Sequence, residues 1–327
     1  MKSAIVGTGT IAPVHLKAII EAGGEIVALC DIECKKAEKL KKEFNLQSRI
    51  YPDYLEMLDH EEIDVVHVCT PHYLHAQMSI VALKRNINVL TEKPLCISLE
   101  ELENIKEAQK SSKAILGICL QNRYLPANLL AYELLKEEKI VSVKGKVLWS
   151  RGEAYYRDAP WRGKWATSGG GAMINQAIHS LDLILWFCGM PVKIKGNIAN
   201  NNLQDIIEVE TKAEFKMFGT YTAEFFASNE NSNNNPIELE IISNNYLIKI
   251  VGRDIYVNNC FQNLPNLGQL RGKDYWGAGH QSLIKDFYDS VLHQKPFSIG
   301  IEEAKKALIV IWALYKSMDK EIIIDKE

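Results

Sequence analysis

Asn175, His179 and Asp182 lie four and then three positions apart in the stretch GGGAMINQAIHSLDL, Gly169 to Leu183. At helical periodicity, an amide, an imidazole and a carboxylate so spaced share one face. An imidazole exchanges protons near neutral pH, an amide can bond a hydroxyl, and a carboxylate can orient either. Ile174, Ile178, Leu181, Leu183, Ile184 and Leu185 supply the apolar packing that holds such a helix. Gly169, Gly170 and Gly171 are expected to bring the backbone close to a ligand before it enters the helix. A single histidine on an apolar helix is more commonly a satisfied core residue, so a chemical reading needs support elsewhere in the chain.

That support begins at the N-terminus. A short apolar strand runs into Gly7-Thr8-Gly9-Thr10-Ile11-Ala12, a helical pattern follows, and a second apolar strand, Ile26 to Leu29, closes at Asp31. This is a βαβ unit with the pattern G-x-G-x-x-A. Gly7 permits the tight turn, Gly9 lets the backbone approach a pyrophosphate, and Ala12 allows close helix–strand packing. The helix start offers N–H groups and positive partial charge to phosphates. Asp31 is placed to accept from ribose hydroxyls and would repel a 2′-phosphate, which favours NAD over NADP. Lys35 and Lys36 read as the solvated face of the next helix.

The elements that position these residues alternate. Helix 33–44, strand DVVHVCTP, helix HAQMSIVALKR, strand INVLTEKP, helix SLEELENIKEAQKS and strand AILGICL predict an α/β chain with a doubly wound, mostly parallel sheet. Ligands in such sheets sit at the carboxyl ends of the strands. That groups Thr70-Pro71, Glu92-Lys93-Pro94 and Gln121-Asn122-Arg123. After residue 140, β patterns dominate, with late helices expected at 280–292 and 302–318. The asparagine-rich stretches NIANNN and NENSNNNP read as surface loops. The expected domains are residues 1–122 and 123–327.

Composition narrows the function classes. The 327 residues carry 38 basic and 41 acidic side chains, a net charge of -3, which argues against a broad nucleic-acid surface. No apolar run approaches the ~20 residues of a membrane helix, and the N-terminus enters a strand rather than a signal peptide. Seven cysteines without CxxC spacing read as reduced thiols in a cytoplasmic protein. No cluster has convincing metal-ligand spacing, so no metal requirement is expected.

The ordered set G-x-G-x-x-A, TPHYLH, EKP, QNRYLP, GGGAMINQAIHSLD and DYWGAGHQSLIKDFYDSV resembles the Gfo/Idh/MocA oxidoreductases nearly end to end. The resemblance implies an N-terminal Rossmann domain. It also implies a C-terminal α/β domain whose large, mostly antiparallel open sheet walls the substrate site and makes homodimer or homotetramer contacts. It implies hydride transfer between nicotinamide and a hydroxyl-bearing carbon of a sugar, inositol, glycoside or related cyclic polyol. Lys93 would point toward the nicotinamide and the substrate hydroxyl, and His179 would be the acid/base. The cationic ring of NAD⁺ would disfavour a charged lysine beside it, and hydride arrival would remove that charge.

Asn175 stands where many relatives carry Asp, so their Lys-Asp-His set becomes Lys93-Asn175-His179. An amide cannot offset an imidazolium, which should lower the His179 pKa. Either Lys93 takes a larger share of the proton transfer or the chemistry is a variant. Expected cofactor contacts are Gly7, Gly9, Thr10, Ile11, Ala12, Asp31, Thr70, Pro71, His75, Glu92, Lys93 and Gln121. Expected substrate contacts are Arg123, Trp165, Asn175, His179 and His280, with Tyr156, Trp161 and Arg162 as further candidates. Two other functions fit the same resemblance: redox-neutral glycoside cleavage that uses NAD transiently, and a non-catalytic ligand-sensing regulator.

Overall fold

Residues 1–200, 208–217, 221–265 and 278–324 are described in this computed structural model. The first third alternates strictly: β1 (Lys2–Val6), α1 (Ala12–Glu21), β2 (Glu25–Cys30), α2 (Cys34–Glu43), β3 (Arg49–Tyr51), α3 (Tyr54–His60), β4 (Val65–Val68), α4 (His72–Lys84), β5 (Asn88–Thr91), α5 (Leu99–Lys110) and β6 (Leu116–Ile118). The chain continues through α6 (Pro126–Leu135), β7 (Ile140–Leu148), α7 (Glu153–Arg157), α8 (Trp165–Ser168), a π-helical turn at Met173–Ala177, and α9 (Ile178–Cys188). Strands follow: β8 (Pro191–Ala199), β9 (Glu210–Met217), β10 (Thr222–Ser228), β11 (Glu238–Ser243), β12 (Leu247–Val251), β13 (Asp254–Val257) and β14 (Cys260–Phe261). Helices α10 (Gly279–Leu292) and α11 (Ile301–Ser317) and strand β15 (Ile322–Ile323) close the described chain.

Two compact units result, Met1–Gln121 with Leu267–Ala304, and Asn122–Asn266 with Lys305–Glu327. The first holds a six-stranded sheet in the order β3-β2-β1-β4-β5-β6. Every pair in it is parallel. Val65 to Val68 are buried throughout, as strands covered on both faces must be. The strand order reverses between β1 and β4, which places the ligand crevice of such a sheet outside their carboxyl ends.

Sequence reading assigned everything after residue 122 to the second domain. Helix α10 packs instead in the first unit, against α1. Its apolar face explains this: Leu283, Ile284, Phe287 and Tyr288 are buried, and Phe287 meets Phe297 edge-on at 5.1 Å. The Tyr288 hydroxyl bonds Ser3 of β1 at 2.6 Å.

The turn after β1 admits little change. Gly7 has φ +86°, and a Cβ there would stand 2.6 Å from the Cys69 carbonyl oxygen. Gly7→Ala is expected to destabilise the protein by about 1–3 kcal/mol. It should also weaken NADH binding more than the stability loss alone would. Urea unfolding and NADH titration check this; unchanged binding by a folded variant would separate the turn from the cofactor.

The second unit carries a nine-stranded sheet, β14-β13-β12-β11-β7-β10-β9-β8-β15. Its pairs are antiparallel except β7 with β10. Alternation turns Val143, Val147, Phe215, Phe225, Leu239, Ile241, Ile248 and Ile250 inward, and α9 packs against β7. On the opposite face Lys144 stands in register with Glu224 and Glu240, and Lys249 meets Glu240 at 3.1 Å. Among the described residues, no helix is long and apolar enough to cross a membrane.

Candidate active site

The nucleotide turn is built from its own strand ends. Asp31 accepts from the Thr8 N–H at 2.8 Å and the Thr8 hydroxyl at 2.7 Å, and its other oxygen accepts from the Glu33 N–H at 2.9 Å. The carboxylate at the end of β2 thus holds the glycine turn at the end of β1. Among the described residues, a Cβ on Gly9 would meet nothing within 4 Å, so none of them requires a glycine there. Gly9 and Thr10 are exposed, Ile11 is half-buried and Ala12 opens α1. Among the described residues, no side chain caps that helix, which leaves its start suited to an anion.

Two further strand ends carry orphaned polar atoms. Thr70 Oγ1 and Gln121 Oε1 are buried without a hydrogen-bond partner among the described residues. Buried polar atoms are normally satisfied, so the pair fits the polar rim of a bound dinucleotide. Pro71 leads into α4. His75, expected at the cofactor, faces two carbonyls, those of Pro94 at 2.7 Å and Thr70 at 2.8 Å. Its ring ties the loop after β4 to the loop after β5. Burial pushes its pKa down, and a neutral ring donates to only one of the two.

Lys93 and Glu92 follow β5 directly. The Lys93 N–H donates to Glu92 Oε2 at 3.3 Å, so the carboxylate folds back on the turn that carries the lysine. Its other oxygen, Oε1, receives His15 Nε2 at 3.1 Å and His280 Nε2 at 3.2 Å. Burial alone would raise the Glu92 pKa; the two imidazole hydrogen bonds outweigh it and hold the carboxyl well below its ordinary range. His280 was expected against substrate. It is 1% exposed and engaged with Glu92 inside the first unit. Residues 274–277 of its motif lie outside the described residues.

In the second unit the run of three glycines lies close against the protein itself. Gly169 ends α8 at φ +73° and Gly170 takes φ +141°. A Cβ on Gly170 would overlap the Tyr315 hydroxyl, and one on Gly171 would overlap the Glu208 carbonyl oxygen. The backbone therefore passes close to its own protein. Glu208 accepts from the Gly171 N–H at 3.2 Å, the Met173 N–H at 2.9 Å and the Tyr315 hydroxyl at 2.7 Å, and also bonds the Thr211 hydroxyl. A buried carboxylate thus anchors the start of the helix that bears Asn175 and His179, where negative charge is favoured.

Nothing local in the sequence marks Glu208. Burial raises its pKa above the ordinary 4.5. A raised carboxyl contributes stability that is intact below the unfolded value and is lost as pH rises through the folded one. The stability of the wild type relative to Glu208→Gln is therefore expected to fall as pH rises from below 4.5 toward neutrality. Urea midpoints across that range read the slope; a rising difference would reverse the assignment.

Met173–Ala177 is π-helical before α9 begins, an irregularity frequent at functional sites. Asn175 donates to the Tyr155 hydroxyl at 3.1 Å, and Gln176 donates to the same oxygen at 2.9 Å. Gln176 in turn accepts from Asn229 at 3.1 Å. Asn229, placed by sequence in a surface loop, is buried. The Arg162 guanidinium lies 4.0 Å from the Tyr155 ring centroid. Tyr156 is buried behind it and hydrogen-bonded to Asn229. His179 is 9% exposed on the first turn of α9.

Asp182 is engaged by a buried arginine. Arg123 donates to it in a fork, Nε at 2.9 Å and Nη2 at 2.6 Å, with both side chains buried. Arg123, expected at substrate, is engaged by this clamp. Trp165 is 51% exposed and meets Tyr315 edge-on at 4.9 Å, which leaves its ring accessible.

Two family models match the chain. One described as "Oxidoreductase family, NAD-binding Rossmann fold" covers residues 1–119, and one described as "GFO/IDH/MocA C-terminal domain" covers residues 138–247. An inositol 2-dehydrogenase of Salmonella typhimurium is 27% identical over 189 residues, 57% of this chain and 54% of the relative. A D-glucoside 3-dehydrogenase of Escherichia coli is 26% identical over 227 residues, 68% of this chain and 62% of the relative. The matched part thus spans about half to two thirds of these relatives. The WlbA dehydrogenase from Bordetella pertussis, solved with NADH and UDP-GlcNAcA, superposes with a TM-score of 0.87 at 22% identity, covering 100% of this chain and 99% of that one. At that identity the likeness speaks for the fold.

Proposed function

The chain belongs to the Gfo/Idh/MocA family of oxidoreductases, and from that premise we propose that it is an NAD-dependent dehydrogenase acting on a CH–OH group of a sugar, inositol, glycoside or related cyclic polyol. The observation that carries this reading is the anchored helix: Glu208 and the three glycines fix the start of the segment that presents Asn175 and His179. NAD supplies the hydride acceptor when bound. The protein's part is to bind it through the Gly7–Ala12 turn, Asp31, Thr70 and Gln121, and to manage the hydroxyl proton. His179 takes that proton as general base, Asn175 bonds the substrate, and Lys93 steadies the oxygen from which the proton leaves. The accessible Trp165 ring offers an apolar surface to the C–H face of a sugar. The hydroxyl-rich names of the matched relatives support the substrate class.

A cytoplasmic location and a homodimer or homotetramer complete the reading. All seven cysteines are free thiols, as a reducing compartment would keep them. The charged open face of the nine-stranded sheet is the surface offered for self-association.

The test is NADH formation by the purified chain with NAD⁺ and a panel of inositols, hexoses, sugar acids and glycosides. Turnover on one class names the substrate. Glycoside consumption without net NADH would instead establish the redox-neutral chemistry, and ligand binding without turnover the sensor.

A further inference from the structure

Beneath the turn that carries Lys93, six side chains of the first unit form one unbroken line of hydrogen bonds. His280 Nε2 and His15 Nε2 meet Glu92 Oε1 at 3.2 and 3.1 Å. His15 Nδ1 meets His67 Nδ1 at 2.9 Å. His67 Nε2 meets the Tyr288 hydroxyl at 3.0 Å, which meets the Ser3 hydroxyl at 2.6 Å. All six residues are buried, and they come from β1, α1, β4, the end of β5 and α10.

We propose that His15 and His280 are positioning residues for Glu92, and that the line from Ser3 fixes His15 as the neutral tautomer with its proton on Nε2, so that Glu92 is presented as a carboxylate at the Lys93 turn. The proton order follows from donor arithmetic. A carboxylate only accepts, so His15 donates from Nε2. Burial keeps His15 and His67 neutral by lowering both pKa values. His15 Nδ1 is then bare, and His67 must donate to it from Nδ1. His67 Nε2 accepts from Tyr288, whose single proton is thereby committed, so Ser3 donates to Tyr288. Every bond receives one proton and none receives two. The opposite order requires a protonated Glu92 donating to His15 while the same oxygen receives His280.

Among the described residues, His75 also lies near Glu92, and burial pushes its pKa down. The Cys69 and Cys119 thiols are pushed well up by burial and stay neutral. Lys93 is the adjacent cation in the chain. The functional consequence rests on the dehydrogenase reading: an anionic Glu92 favours a positive charge at the nicotinamide end of the site. Without His15, desolvation acts on the carboxyl unopposed from that side, and its titration moves up.

Selective ¹⁵N-histidine NMR of the NADH-loaded chain tests the assignment, with signals assigned through His15→Gln and His67→Gln. The expected result is a protonated Nε2 on His15 and a protonated Nδ1 on His67, both unchanged between about pH 5 and 8. A second measurement is the titration of the Glu92 side-chain carboxyl, followed by ¹³C NMR with the signal assigned through Glu92→Gln. His15→Leu is expected to move it up by about one to two pH units, the worth of a hydrogen bond to a charged group. His15→Gln, which keeps a donor near Nε2, is expected to restore it.

A proton on His15 Nδ1, either ring titrating in that range, or an unmoved Glu92 titration in His15→Leu would overturn the proposal. So would stoichiometric zinc held by the purified chain and lost in His15→Leu. The donor atoms of His15, Glu92 and Cys119 lie within 4.8 Å of one another, and an Nε2 that binds an ion cannot also donate. If no substrate is turned over, the dehydrogenase reading fails while the tautomer result still decides the proton order.

Discussion

Replacing His179 with alanine is expected to lower turnover by about 10²–10⁴-fold, the usual contribution of one positioned acid/base group, and to leave NADH binding intact. The Glu208 bonds that anchor the helix do not run through His179. His179 is the second residue of α9, and the start of its helix is held by Glu208 through main-chain N–H groups. None of those bonds uses the imidazole. Alanine is also the better helix former. The loss should therefore fall on kcat, because the proton is transferred in the transition state. Lys93→Met should likewise lower turnover, since the proposed mechanism gives it a part in the same proton transfer. Steady-state kinetics with NADH titrations in parallel check this. A His179→Ala variant retaining wild-type kcat would make the histidine a core residue and remove the base from the mechanism.

Removing Asp182 is expected to cost stability rather than rate. Its fork with Arg123 is buried on both sides, the side chains being 2% and 6% exposed. Asp182→Leu would leave the guanidinium buried without its charge partner, a loss of about 3–5 kcal/mol. The Arg123 guanidinium also lies 5.3 Å from the Trp186 ring centroid, and that ring stacks on Tyr132 at 4.2 Å. The loss of Asp182 would therefore disturb an aromatic layer as well as its own site. The double variant Asp182→Leu with Arg123→Met should recover most of the loss, because removing both charges removes the uncompensated one. Urea unfolding of the two variants measures it. A single variant within about 1 kcal/mol of wild type would show that the pair behaves like a solvated surface bridge.

The nucleotide turn and the six-stranded sheet were legible because their signals are local. A turn that needs positive φ must have Gly7, and strands buried on both faces must be continuous apolar runs such as Val65–Val68. The strands of the second sheet were legible as β patterns, since one buried face imposes alternation, while their mostly antiparallel pairing was implied by the family resemblance. The face shared by Asn175 and His179 was visible as a spacing, but the π-helical turn beneath Asn175 was not.

What tertiary structure alone decided is who partners whom. Arg123 and His280 carry the residue types of sugar ligands, yet their partners Asp182 and Glu92 stand 59 and 188 positions away. An amphipathic pattern shows that α10 has an apolar face, and nothing in it says that α1 is the surface it covers. The three glycines announce a close approach, and only the folded chain identifies what is approached, Glu208 and Tyr315. Residue type and spacing record what a group can do, because those are properties of the local chain. A group's charge, tautomer and availability depend on neighbours that only folding supplies.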